Sequence, residues 1–153
     1  MSIEYTRATP DMIDLLVETR IEVLRAANGL PDDADMSRVA EESRHYYARA
    51  LADDTHVGYL AFDGERFVGA GGVSYYRVMP TYHNPSGVKA YIMNMYVRPE
   101  YRRKGIATRM LDLLVKDARS RGVVEITLEA TDAGRPLYEK YGFRPMKREM
   151  ELP

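Results

Sequence analysis

The hydrophobic positions of the chain recur with two periods, one typical of helices and one typical of strands. Apolar side chains at helical spacing predict helices over Met12–Ala27, Met36–Leu51, Gly105–Ser120 and Gly134–Tyr141. Alternating or continuous apolar runs between turn residues predict strands over Ile3–Arg7, Val57–Phe62, Phe67–Val78, Ala90–Val97, Val123–Ala130 and Phe143–Glu151. The order of these elements indicates an α/β domain with a mixed sheet.

Glycine and proline residues mark where several of these elements end. Asp63-Gly64 lies between two strand-like runs and predicts a tight hairpin. Gly69, Gly71 and Gly72 fall inside the second of those runs, where glycine is typical of a bulge or of a close backbone approach.

Ala90–Val97 is almost continuously apolar, as expected of a central strand that is covered on both faces.

Composition narrows the class of protein. The length of 153 residues suits a single domain, which we expect to span residues 1–153. The net charge of −1 gives no reason to expect a polyanion-binding surface over the whole domain. The absence of cysteine excludes disulfides, thiolate metal ligands and a cysteine nucleophile, and the three histidines show no ligand spacing, so we expect no metal site. The chain shows no secretion signal and no membrane-spanning apolar run, so we expect a cytoplasmic protein with no membrane contact.

The segment from Val97 to Ala107 concentrates positive charge in this near-neutral chain. It holds four cations and one anion, a local net charge of +3, directly before the predicted helix at Gly105. Cations beside a helix N-terminus are unfavourable by roughly 0.3–1 kcal/mol each, unless an anion binds there. Gly105 removes a side chain where backbone N–H groups are free, and the small Ala107 allows the same close approach. The pattern therefore predicts a phosphate-binding loop.

Other interpretations of these residues fit less well. Most charge runs are simply solvated surface, but the helix-start position and the glycine spacing favour phosphate. The chain contains no G-x-x-x-x-G-K-[ST] motif, and Gly69-Ala70-Gly71-Gly72 lacks the third glycine and the following helix of a dinucleotide-binding loop. A nucleic-acid partner is disfavoured because the basic segment is short and has no interleaved aromatic residues.

Two motifs in the last third resemble those of the GNAT superfamily of N-acyltransferases. The stretch V-x-P-x-x-R-x-x-G-x-A, from Val97 to Ala107, is similar to the family's acyl-CoA motif. The stretch L-Y-x-x-x-G-F, from Leu137 to Phe143, is similar to its second signature, and one helix and one strand separate the two, as in the family. The resemblance implies a mixed, mostly antiparallel sheet flanked by helices, with splayed central strands that form an acyl-CoA cleft.

The resemblance also assigns roles by position. It implies that the backbone of the central strand pairs with the pantetheine arm at Met95, Tyr96 and Val97. It implies that the pyrophosphate is bound by the loop residues Arg102, Arg103, Lys104, Gly105, Ile106, Ala107 and Thr108. Tyr138 corresponds to the donor to the departing CoA sulfur, although most tyrosines simply pack. An asparagine that often contacts the cofactor is replaced here by Thr131.

The reaction implied is transfer of an acyl group, most simply acetyl from acetyl-CoA, to an amine of a small molecule or peptide. Without cysteine, direct attack of the amine in a ternary complex is the simplest path. The general base is open: Glu129 at the end of the fifth predicted strand is one candidate, while His83 or a water relay are others, and Glu129 could equally be a solvated carboxylate. A non-catalytic acyl-CoA-binding module is the alternative function. A homodimer is compatible with the resemblance, since dimers are common in the family.

Overall fold

One mixed sheet organises the chain in the structure, a computed structural model that describes residues 2–153. The strands are β1 (Ile3–Arg7), β2 (His56–Asp63), β3 (Arg66–Arg77), β4 (Val88–Val97) and β5 (Glu125–Leu128). The helices are α1 (Ile13–Asn28), α2 (Ser37–Ala52), α3 (Ile106–Ser120) and α4 (Arg135–Tyr141). The strands lie side by side in chain order, with every neighbouring pair antiparallel except β4 and β5, which are parallel. The predicted mixed, mostly antiparallel sheet is confirmed.

The two faces of the sheet carry separate hydrophobic clusters. Helix α3 covers one face, because its apolar residues recur on one side and Met110, Leu111 and Leu114 are at most 1% exposed. Helices α1 and α2 cover the other face, where Leu16 and Tyr47 pack with residues of β2 and β3. Burying each such large side chain stabilises the fold by about 1.5–3 kcal/mol. Both faces of the central strands are therefore covered, as the apolar run in β4 predicts.

The predicted final strand over Phe143–Glu151 is wrong. The described chain has no strand after Leu128, and the segment that follows α4 has no regular secondary structure. Only Phe143 in this segment is half-buried, while every residue from Arg144 onward is exposed. Pro145 lacks the N–H that a strand ladder requires, and without packed side chains the alternating pattern does not select a register. The outer edge of β5 is consequently left without a strand partner in the part of the chain described.

The glycines of β3 accompany both features predicted for them, a bulge and close packing. Val68, directly before Gly69, is an extra residue of β3 opposite the step from Ala61 to Phe62 in β2, so β3 has a bulge of its own. A Cβ on Gly71 would lie 2.4 Å from Met110 Cγ in α3 and 3.0 Å from Met95 Sδ in β4. A Cβ on Gly72, on the opposite face, would lie 2.9 Å from the imidazole of His56. A second bulge lies between β3 and β4, and its extra residue belongs to β4, opposite Gly71. The close backbone approach predicted from the sequence is confirmed.

No helix in residues 2–153 combines the length and the apolar character needed to cross a membrane.

We predict that Gly71→Ala destabilises the protein by about 1–3 kcal/mol, because the added methyl group overlaps the Met110 side chain. The free energy of unfolding from urea titration measures this loss. In a Met110→Ala background the same substitution should cost distinctly less, since the overlapping atoms are gone. An equal cost in both backgrounds would show that the overlap does not determine the stability at this position.

Candidate functional site

Strand β4 is paired with β5 over only part of its length. Their parallel ladder joins Lys89–Ile92 to Glu125–Leu128 and stops there. From residue 93 to 97, β4 continues along β3 alone. Asn94 has a φ of +61°, and one extra residue of β4 lies opposite Gly71, so the strand bulges directly after the point where β5 leaves it. The splayed strands that were expected from the family resemblance are present.

The splay leaves backbone groups of β4 without a strand partner. The N–H of Arg98 donates to the Val68 carbonyl at 2.8 Å, so by alternation the N–H groups of Met95 and Val97 point to the opposite, open side. The Val97 carbonyl accepts a hydrogen bond from Arg102 Nε at 3.1 Å. The open side of β4 therefore leads directly to the loop that follows it.

That loop presents a row of free backbone donors. Its last protein-bound N–H is that of Arg102, which donates to the Pro99 carbonyl, and the next is that of Arg109, which donates to Gly105 at 3.0 Å. Within residues 2–153, the N–H groups of residues 103–108 have no protein acceptor. Gly105 has a φ of +81° and a Cβ there would meet nothing within 4 Å. The geometry is that of an anion-binding helix N-terminus.

The charges around this loop are divided between internal pairs and free cations. Arg98 is bound on both sides of its guanidinium by Glu22 of α1, at 2.8 and 2.7 Å, so it ties α1 to the end of β4 and does not face the loop as a free cation. Glu100 pairs with Arg66. The exposed side chains Arg102, Arg103 and Lys104 form no ion pair within residues 2–153. The local charge of +3 therefore comes from these three adjacent residues.

The remaining loop positions differ in what they can offer an anion. Ile106 is 2% exposed and packs into the core, so only its backbone N–H faces the loop. Ala107 is half-buried and Thr108 is exposed at the first turn of α3.

Tyr138 lies in α4, with its ring buried and its hydroxyl unpaired. The residue is 9% exposed, and its ring packs edge-on against Phe143 at 6.2 Å between centroids. The close approach to Gly134, where a Cβ would lie 3.1 Å from Tyr138 Cε2, sets the ring against the start of its own helix. Burial raises the pKa of the Tyr138 phenol, so the group holds its proton at neutral pH. A protonated phenol without a protein partner is available as a hydrogen-bond donor.

Thr131 and Glu129 follow β5 and are both exposed. The Thr131 hydroxyl oxygen accepts the Gly134 N–H at 3.1 Å, so it forms part of the turn that begins α4. Glu129 is the first residue after β5, at the fork where β5 leaves β4. Burial raises the pKa of the nearby Tyr91 phenol, and the carboxylate of Glu129 raises it further. The structure thus places Glu129 beside a tyrosine of β4 rather than alone in solvent.

A polar cluster on the α1/α2 face was missed by the sequence analysis. His56 of β2 is 5% exposed, and its Nδ1 lies 2.9 Å from the Tyr46 hydroxyl and 3.3 Å from Ser74 Oγ. Its ring lies over the paired glycines Gly58 and Gly72. The opposed glycines were the signal available in the sequence, because they leave room for a ring on that face. Burial lowers the pKa of His56 to about 4, and the positive charge of Arg20 lowers it as well.

Two cavities lie near the end of the chain. The larger, of about 1220 Å³, is an open groove between β5 and the segment from Tyr141 to Arg148. The smaller, of about 290 Å³, is lined by Leu128, Ala130 and Tyr138 among others. The larger groove does not include the loop residues 102–108 or the open part of β4. Although it is larger, it therefore lacks the free N–H groups and the unpaired cations described above.

Comparison with known proteins identifies relatives of this chain. The sequence model of the acetyltransferase (GNAT) family matches residues 15–143. A solved structure from Clostridium acetobutylicum, described as a predicted acetyltransferase with acetyl-CoA, is 35% identical, with 99% of this chain and 96% of that chain covered and a TM-score of 0.89.

Two curated proteins match shorter segments. An uncharacterized N-acetyltransferase of Escherichia coli, YafP, is 34% identical over 64 residues, which are 42% of this chain and 39% of that protein. The glucosamine 6-phosphate N-acetyltransferase of Trypanosoma brucei brucei is 29% identical over 75 residues, 49% of this chain and 51% of that protein. The chain thus spans about half or less of the length of these two curated relatives.

The buried histidine predicts an acid-dependent loss of stability. The pKa of His56 is lowered from 6.5 to about 4 in the fold, so the neutral ring is favoured and the unfolded chain takes up a proton first as the pH falls. The stabilising contribution is complete above pH ~6.5 and decreases below it, by about 2 kcal/mol at pH ~5. Urea unfolding of the native protein and of His56→Gln at pH 7 and pH 5 should show this loss only in the native protein.

His83→Gln is the matched control, because His83 is exposed in a loop and should leave the pH dependence unchanged. Equal pH dependence in the native protein and in His56→Gln would contradict a neutral, buried His56.

Proposed function

Because the chain belongs to the GNAT family of acetyltransferases, we propose that it is an acyl-CoA-dependent N-acetyltransferase that moves an acetyl group from acetyl-CoA to an amine. The observation that carries the proposal is the run of free backbone N–H groups at residues 103–108, which continues the open side of a bulged and splayed β4. Donors for a diphosphate and unpaired strand edges for an amide-containing arm lie end to end in this arrangement.

We assign the diphosphate of the donor to the start of α3. The N–H groups of Arg103 to Thr108 would donate to its oxygens, and the exposed side chains of Arg102, Arg103 and Lys104 would neutralise its charge. The helix dipole adds about half a positive charge at the same place. The site fits an anion because nothing within residues 2–153 occupies these donors.

The amide groups of the pantetheine arm would extend along the open side of β4. Met95 and Val97 have the N–H groups that point there, and Tyr96, whose backbone points to β3, holds the strand in register. A backbone N–H at the bulge is the natural donor to the thioester oxygen as charge develops on it. Thr131 at the start of α4 retains a hydroxyl proton that could contact the donor from the other wall of the cleft.

Direct transfer forms one bond and breaks one. The nitrogen of the neutral amine bonds to the acetyl carbon and releases one N–H proton to a base or to solvent, while the carbon–sulfur bond breaks with its electron pair on sulfur, and the thiolate takes up one proton. The Tyr138 phenol holds its proton because burial raises its pKa, so it can donate a hydrogen bond to the sulfur. Even from a phenol of ordinary pKa ~10, full proton transfer to a thiolate of pKa ~8.5 is uphill by about 2 kcal/mol, and the raised pKa of Tyr138 adds to that cost, which favours a late transfer.

The acceptor must lose a proton before it attacks. An amine with a pKa near 10.4 is mostly protonated at pH 7, and freeing it costs nearly ~5 kcal/mol. We propose Glu129 as the base, directly or through water, because it lies at the fork between β4 and β5 and close enough to Tyr91 to raise that phenol's pKa. Its exposure allows the abstracted proton to pass to solvent.

A non-catalytic acyl-CoA-binding module is the alternative. The unpaired Tyr138 hydroxyl favours the enzyme, because a binding module has no use for a donor to a departing sulfur. Release of CoA thiol that depends on an added amine, measured across polyamines, amino acids, peptides and amino sugars, separates the two functions. Binding of acetyl-CoA without amine-dependent thiol release from the whole panel would favour the module.

We predict that Gly105→Glu raises the Kd for CoA at least about tenfold, which corresponds to ~1.4 kcal/mol. The substitution brings a carboxylate against the bound phosphates and puts a side chain on a residue with a φ of +81°. Isothermal titration calorimetry measures the change.

Gly122→Glu is the matched control. Gly122 also has a positive φ of +75° and open space around it, but it lies at the other end of α3 and lines the larger groove. A loss of affinity in Gly122→Glu with an unchanged Kd in Gly105→Glu would move the cofactor site to that groove.

We predict that Tyr138→Phe lowers kcat by more than it raises the KM for acetyl-CoA, since the hydroxyl acts on the leaving sulfur rather than on binding. A loss of roughly 10²-fold would be typical of a removed general acid. Tyr141→Phe serves as the control, because the Tyr141 hydroxyl donates to Asp112 at 3.0 Å and does not face the sulfur. An unchanged kcat in Tyr138→Phe would remove this tyrosine from the mechanism.

A further inference from the structure

Arg20 of α1 has no acidic partner. It lies on the face of the sheet covered by α1 and α2, next to the point where β5 leaves β4. One of its guanidinium nitrogens donates to Asn94 Oδ1 at 3.0 Å, which ties α1 to the bulge of β4. No carboxylate in residues 2–153 lies within 4.0 Å of its charged nitrogens. Two carboxylates lie two residues away along the helix: Glu22 is held on both oxygens by Arg98, and Glu18 is exposed and forms no ion pair with Arg20. A half-buried guanidinium with five donors and one amide acceptor has capacity for an anion.

A hydrogen-bonded cluster of polar side chains lies on the same face of the sheet as Arg20. The buried His56 is neutral, and its Nδ1 pairs with the Tyr46 hydroxyl, which in turn lies 2.6 Å from Ser74 Oγ. Burial raises the pKa of Tyr46 and Tyr47 and lowers that of His56; the positive charge of Arg20 opposes the rise in the two tyrosines and adds to the fall in His56, so all three feel its charge. Tyr46 is 42% exposed, so the cluster reaches solvent.

Carboxylates also lie on the α1/α2 side of the sheet, but away from Arg20. Glu129 and Glu149 both raise the pKa of Tyr91, which is three residues before Asn94 in β4. The carboxylate of Asp53, at the end of α2, likewise raises the pKa of Tyr46. The α1/α2 side of the fork therefore has acids at the Tyr91 end and an unpaired cation at the bulge.

We propose that Arg20, with the Tyr46 hydroxyl, binds an anionic group of the acceptor, so that the enzyme selects amines that carry a phosphate or a carboxylate. This proposal rests on the acetyltransferase function proposed above. The amine of such an acceptor is drawn toward Glu129, and its anion toward Arg20.

The contact between Arg20 and Asn94 explains how a bound anion would orient the acceptor. Asn94 is the bulge residue, so a group held by Arg20 is placed at the point where the open side of β4 begins. A guanidinium binds phosphate or carboxylate with two parallel hydrogen bonds, which fixes orientation as well as distance. A neutral His56 adds no competing charge, and with its proton on Nδ1 it donates to the Tyr46 oxygen, which leaves the Tyr46 O–H free to donate to the anion.

Matched acceptors that differ only in the anion test this selection. Glucosamine and glucosamine 6-phosphate form one pair, and ethanolamine and phosphoethanolamine form another. In the native protein the phosphorylated member of a pair should have the higher kcat/KM, by about tenfold or more, for a charge-assisted pair. Arg20→Gln should abolish this preference, because it raises the KM of the phosphorylated member by about tenfold more than that of the neutral member; any loss from the lost contact with Asn94 should be common to both members.

Two further variants make the result specific. Arg20→Lys keeps the positive charge but lacks the planar guanidinium, and it should retain part of the preference. Arg25→Gln is the matched control, because Arg25 lies on the same helix but donates to the Pro31 carbonyl at the surface. An equal loss toward neutral and phosphorylated amines in Arg20→Gln would show that Arg20 only holds the bulge, and would overturn the proposal.

A binding measurement separates this proposal from the enzymatic one. Phosphoethanolamine, added without acetyl-CoA, should shift the ring NMR signals of His56, since an anion beside Arg20 offsets the charge that acts on the imidazole. The shift should be absent in Arg20→Gln and with ethanolamine. Such binding without acetylation of any amine would sustain the anion site and contradict the proposed activity. An identical response in the native protein and in Arg20→Gln would contradict the anion site itself.

Discussion

The separation of β4 from β5 after Ile92 is the constraint on which the rest of the site depends. Up to that residue the parallel ladder is complete, and beyond it one side of β4 has no partner strand. An unpaired strand edge inside a sheet is costly unless another chain of donors and acceptors takes its place. The bulge at Asn94 occurs directly after the separation, and the Arg20 side chain holds the bulge residue from the helix layer. The cleft is thus part of the sheet's own architecture.

The loop after β4 follows from the same geometry. Arg98 leaves the strand with its N–H on β3 and its guanidinium on Glu22, so the exit of the chain is fixed on two sides. The next residues then bring free cations and free N–H groups to the mouth of the cleft. Three unpaired cations at a helix N-terminus oppose the helix dipole, an arrangement that gains stability when an anion arrives. The diphosphate affinity proposed for this loop follows from that electrostatic arrangement.

Most of the fold could be predicted from the sequence, because helical and alternating periods are local properties. The four helices and the first five strands were predicted within a few residues, and β5 is shorter than expected because its ladder with β4 joins only four residues. Phe143–Glu151 shows where a pattern fails: a strand also needs a neighbour and a buried face, and this segment has neither. In the site, the loop residues carry their own signal in glycine, charge and helix start. The pair Arg20–Asn94 carries none, because it joins residues 74 positions apart, and the His56 cluster is indicated only indirectly, by the glycines that leave room for its ring.

The central claim is that the open side of β4 and the start of α3 together bind the acyl donor. Chemical-shift mapping of backbone amides during titration with CoA tests it most directly. The claim predicts that the largest changes fall on Met95, Val97 and residues 103–108, the amides without a protein acceptor. Changes confined to β5 and residues 141–148, around the larger groove, would contradict it.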